Sequence, residues 1–156
     1  MELKKDLLER VAAHVLQDAA FVFAMPLMEE RPDLSTWKAV GVRLAFSGPF
    51  DGWCEMWVPF EMSKLLAANM LGMEDNAPDA QEMCFDALKE TLNIFSGNLL
   101  TELAGADPVF NLGTPSVMQK PELLSEGPHY AEAWFDSDDM PILIRVALAD
   151  QATDAA

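Results

Sequence analysis

One unbroken helical stretch constrains this chain more than any other feature. It begins after Asp79, a residue type that can cap a helix, and runs to about Leu103, where Gly105 and Pro108 close it. At about 100° per residue, Asp86, Glu90, Asn93 and Gly97 fall within about 40° either side of one line. Phe85, Leu88, Leu92, Phe95, Leu99 and Leu103 gather on the opposite side. The pattern predicts a helix of about 25 residues with a buried face and a narrow polar stripe: an acid, an acid, an amide and a glycine. A solvated surface explains most such rows. Gly97 is the dissenting residue, because a mid-helix glycine costs about 1 kcal/mol relative to alanine. Either crowding against a sheet or close approach by another protein would account for it.

The rest of the chain arranges itself around that helix. Residues 2 to about 24 repeat Leu7, Leu8, Val11, Val15, Leu16 and Ala19 at helical spacing, with Pro26 limiting extension. Glu29 to Ser35 is a polar connector. The period then changes to two: Val40, Val42, Leu44 and Phe46 alternate with Gly41, Arg43 and Ala45, and Trp53 to Val58 returns as the second strand of a hairpin. Pro59 stops it, and Glu61 to Leu71 is a helix closed by Gly72. After the long helix come strands around Phe110 to Val117, His129 to Phe135 and Ile142 to Leu148. This order predicts an α/β (α+β) fold, a mostly antiparallel sheet packed against two or three helices. Residues 1–150 form one domain, and Gln151 to Ala156 is a frayed tail.

Charge excludes several functions. The 156 residues carry 26 Asp+Glu against 10 Lys+Arg, a net −16, which repels phosphate backbones and anionic lipid. Nucleic acid and membrane are therefore poor partners, and no apolar run is long enough to span a bilayer. Cys54 and Cys84 are the only cysteines, without a CxxC, and read as buried, reduced thiols of a cytoplasmic protein. His14 and His129 share no ligand spacing, so no intrinsic metal or cofactor is expected. Glycine-rich phosphate loops, GxSxG and HExxH are all missing.

The run Asp86-Ala-Leu-Lys-Glu90-Thr-Leu-Asn93-Ile-Phe-Ser-Gly97-Asn98 resembles the signature helix of the CheC/CheX/FliY chemotaxis phosphatases. That motif is an acid, three residues, Glu, two residues, Asn and, roughly twenty residues on, a proline. Asp86, Glu90 and Asn93 match it position by position, and Pro115 matches the downstream proline. The resemblance is clear from about Val40 to Val117 and looser beyond. CheC-type members carry a second ExxN on an earlier helix. Val11 to Met28 has none, which points to the single-site, CheX-like branch.

The resemblance implies a phosphatase that hydrolyses the phosphoaspartate of a CheY-like receiver domain. Glu90 and Asn93 would be catalytic, Glu90 pairing with the receiver's lysine and Asn93 positioning water. Asp86, Gly97 and Pro115 would bind the partner, and the receiver would supply Mg²⁺. A non-catalytic adaptor for a receiver or a flagellar switch component is the competing reading, with a scaffold domain the third. The apolar strand Trp53, Cys54, Met56, Trp57 and Val58, taken as an exposed outer hairpin, predicts a homodimer, with burial under the first helix as the alternative.

Overall fold

The computed structural model describes residues 1–125 and 127–149, so the expected tail from Gln151 lies outside the described residues. Three helices, α1 (Lys5–Ala20), α2 (Phe60–Leu71) and α3 (Ala80–Ala104), accompany the strands of one antiparallel sheet, α2 and α3 following each other directly. Those strands are β1 (Met25–Pro26), β2 (Val40–Ser47), β3 (Gly52–Val58), β4 (Asn111–Leu112), β5 (Ser116–Met118), β6 (Tyr130–Ser137) and β7 (Met140–Leu148). Across the sheet they run β1-β6-β7-β3-β2-β4, and β5 also pairs with β2. The fold class read from the sequence is the one observed.

Strand alternation divides the sheet into two unlike faces. Val42, Leu44 and Phe46 of β2, Cys54, Met56 and Val58 of β3, and Ile142, Ile144 and Val146 of β7 share one core with all three helices. On the opposite face Trp57, Leu143 and Trp134 lie in register across β3, β7 and β6. Leu27, Leu34, Trp37 and Ala39 of the connector cover them. Beside this apolar row runs a charged one, Arg43, Glu55, Arg145 and Glu132 directly opposite one another, with Arg31 reaching Glu132 from the connector.

Four expectations need correction. The first helix ends at Ala20, before Pro26 can act: Phe21 turns left-handed at φ 56°, and the Val22 N–H bonds back to the Leu16 carbonyl. The chain beyond it then joins the sheet as β1, a strand too short to show a period. Asp79 occupies the cap position of α3, but its side chain makes no capping bond. Most consequentially, β3 is not an outer hairpin. It lies between β2 and β7, so Trp57 and Val58 are fully buried and its apolar sequence is explained by burial on both faces. That strand therefore gives no ground for a dimer.

Candidate functional site

α3 packs on α1, α2 and the β2–β3 part of the sheet through Leu88, Leu92, Phe95 and Leu99, all buried. Phe85 and Leu103, at the margins of that face, are half-buried. Two hydroxyls on the buried side, Thr91 and Ser96, donate to the carbonyls of Ala87 and Leu92, so neither is left unsatisfied. Beneath α3 lies Cys54. Burial pushes its thiol up to about 12, with Ser96 beside it pulling weakly the other way. Both cysteines are free and buried.

The helix is thus fixed against rotation, and its other side is available. Asp86 and Glu90 are exposed, while Asn93 and Gly97 are half-exposed. Among the described residues, neither Glu90 nor Asn93 has a side-chain hydrogen-bond or ion-pair partner. A carboxylate and a carboxamide one turn apart on a rigid helix, both unengaged, can bind a cation and a water respectively at fixed separation.

The chain that follows α3 forms the border of this stripe. β5 lies along β2, and its Val117 lines a shallow groove of about 510 Å³ together with Phe85, Asp86 and Lys89. Pro115 is half-buried in the short link between β4 and β5, two residues before Val117. At the other end, Gly97 borders a notch of about 180 Å³ walled by Leu100, Phe110 and Leu112. The structure therefore aligns Asp86, Glu90, Asn93 and Gly97 on one face and sets Pro115 in the adjoining border segment. The groove and the notch escaped the sequence reading, since each depends on β4 and β5 folding back beside α3. A glycine and a proline closely spaced after the helix were the only hint.

No packing neighbour explains Gly97. A Cβ built there meets nothing within 4 Å, so crowding against the sheet is not the reason for the glycine.

A mostly antiparallel sheet under three helices, with a long helix turning Asp86, Glu90 and Asn93 outward, is the class of domain the structure defines. The family model of the chemotaxis phosphatase CheX matches residues 40–135, more than half the chain, and the chain belongs to that family. Among solved structures it is similar to a chain of the CheX–CheY–BeF3–Mg²⁺ complex from Borrelia burgdorferi, at 22% identity and TM-score 0.69, covering 93% of this chain and 97% of that one. CheX from Vibrio vulnificus is 20% identical with TM-score 0.69, covering 92% and 94%. FliY of Thermotoga maritima shares the fold at TM-score 0.55 and 16% identity, covering 99% and 96%. No curated protein matches the chain.

Proposed function

We propose that this CheX-family protein hydrolyses the phosphoaspartate of a CheY-like response-regulator receiver. The supporting observation is the unengaged Glu90–Asn93 pair on a helix held rigid by its buried face. Hydrolysis of an acyl phosphate needs little chemical assistance: water attacks phosphorus, the O–P bond to the aspartyl carboxyl breaks, and inorganic phosphate leaves. The main contribution is alignment of that water. Asn93 does this with an amide that stays neutral, its oxygen accepting from the water and its NH₂ free to donate to the phosphoryl group. Glu90 pairs with the receiver's lysine one turn away, and Asp86 extends the acidic edge. Gly97 permits close approach, and Pro115 shapes the border segment.

Mg²⁺ belongs to the receiver in this reading. The solved Borrelia complex, one chain of which resembles this one, contains CheY, BeF3 and Mg²⁺. Work on a receiver puts the protein in the cytoplasm; among the described residues no helix is long and apolar enough to cross a membrane. We further propose a homodimer, assembled away from α3 so that each stripe remains accessible. Release of inorganic phosphate from a phosphorylated CheY receiver, with and without the protein, tests the activity. Binding without accelerated release would establish the adaptor instead.

A further inference from the structure

α3 carries four acids, Glu82, Asp86, Glu90 and Glu102, and a single base, Lys89. In a chain of net charge −16, a lone lysine on such a helix is expected to be neutralised by a neighbouring carboxylate. Lys89 is not. Among the described residues it has no ion-pair or hydrogen-bond partner, whereas Arg10 reaches Glu102 and Lys64 reaches Glu61. The positions four residues before and after it, where an acid would serve, hold Phe85 and Asn93. Asp86, three residues before it, lines the same groove without pairing.

Its place on the helix puts that free charge beside the water-positioning amide. At about 100° per residue, Lys89 is turned about 40° to one side of Asn93 and Glu90 about 60° to the other. Residues four apart carry their Cβ atoms about 5–6 Å from each other, within the reach of a lysine side chain. Asn93 is therefore flanked by a carboxylate and an ammonium. Lys89 is half-buried and lines the groove of about 510 Å³ with Phe85 and Val117, so apolar surface lies beside its stem while the charged end stays in water. A phosphoryl group brought to Asn93 carries negative charge on its oxygens and meets the exposed carboxylates of Asp86 and Glu90. On α3, only Lys89 can offset them.

We infer that the Lys89 ammonium binds the phosphoryl oxygens of the receiver's phosphoaspartate while Asn93 holds the water, stabilising the charge on the group as it is transferred. Lys89 moves no proton: the bond made to water and the bond broken at the aspartyl carboxyl are those of the reaction above. The inference rests on the phosphatase reading and adds to it an electrostatic residue at the reacting group.

The test uses the full chain with a phosphorylated CheY receiver, and with the same receiver either bare or loaded with beryllofluoride and Mg²⁺. Lys89→Met keeps most of the stem and removes the charge, and Lys89→Arg keeps the charge. Phosphate release at saturating receiver should fall roughly tenfold in Lys89→Met and stay within about threefold of wild type in Lys89→Arg. Lys89→Met should weaken binding of the loaded receiver and not of the bare one, a difference that a lysine serving only as a surface contact would not produce. Lys38→Met removes an equal charge from the connector on the other side of the sheet and should leave turnover unchanged. Turnover in Lys89→Met within about twofold of wild type, with Asn93→Ala still impaired, overturns the inference and leaves the phosphatase reading standing. Equal weakening toward bare and loaded receiver also overturns it, as does a Lys89→Arg variant as slow as Lys89→Met or an equal loss in Lys38→Met. A wild-type chain that does not accelerate phosphate release overturns the phosphatase reading and this inference together.

Discussion

Arg145 faces Glu55 directly across the β3–β7 ladder, with 3.8 Å between guanidinium and carboxylate and both side chains sealed from solvent. Glu55 also receives the Arg43 guanidinium and the Trp57 indole N–H, at 2.7 and 2.9 Å. The Nε and one terminal nitrogen of Arg145 have no hydrogen-bond partner among the described residues, so its charge is balanced only by Glu55 and Glu132. Removing the shared carboxylate would leave Arg43 without an ion-pair partner and the buried Arg145 with Glu132 alone. Glu55→Ala should therefore cost about 3–5 kcal/mol of stability, as expected for breaking a buried pair, and lower Tm by about 10 °C or more. Glu55→Gln, which can still accept from Trp57, should cost less. Urea unfolding of the two variants checks the order, and equal stability of wild type and Glu55→Ala would contradict it.

This buried row also marks where sequence reading stopped. Val42, Leu44 and Phe46 reveal their inward face by simple alternation, and so the helix side of the sheet was legible. Arg43, Glu55 and Arg145 carry no local sign of the row they form, because their pairing spans three strands that only the folded sheet brings together. The same limit applied to β3. Strand order depends on long-range pairing with β7, which a run of apolar residues cannot specify, so a central strand was taken for an edge. At the site, the stripe on α3 follows from a 3.6-residue period within one element. The groove and notch beside it join residues from different elements and have no such signature.

Asn93→Ala should reduce stimulated phosphate release by roughly 10²-fold, the share of the barrier assigned to placing the water. The side chain is half-exposed and without a partner, so unfolding and receiver binding should be unchanged. Glu90→Ala should weaken both turnover and binding, since its carboxylate is assigned to docking. With an amide as the water-positioning group, wild-type turnover between about pH 6 and 9 should lack the bell shape of an acid–base pair. Wild-type phosphate release by Asn93→Ala would refute this mechanism.

Cys54 makes stability sensitive to alkali. Its thiol is pushed up to about 12 in the folded state by burial, against 9.0 for a free thiol. Above pH 9 the unfolded chain releases this proton while the folded chain retains it, so unfolding is increasingly favoured as pH rises from 9 towards 12. Tyr130, half-buried and with its hydroxyl donated to Glu132, shifts the same way. Cys54→Ala should flatten part of the alkaline loss of Tm. In the native protein both thiols should resist an aromatic disulfide reagent at pH 8, and both should react after denaturation; rapid native labelling of Cys54 would contradict its burial.

The expected dimer moves from the central strand β3 to the β1 edge of the sheet. Phe21, Phe23 and Met25 alternate with buried Val22 and Ala24, and are 69%, 70% and 68% exposed; Met28 is 90% exposed. From Ala19 to Met28 no residue is charged, so repulsion between two chains of net charge −16 is weakest here. β1 ends the sheet, is only two residues long and contains Pro26, so backbone pairing alone cannot hold two copies together. The contact should be chiefly apolar, the two copies facing each other across a two-fold axis with Phe23 and Met25 at its centre. The stripe on α3 lies outside this segment and stays open to a receiver in each copy. Sedimentation at micromolar concentration should give one species at twice 17.2 kDa, and the double variant Phe23→Asp/Met25→Asp should sediment as the monomer. A wild-type monomer would dispose of the dimer and leave the chemistry at Asn93 untouched.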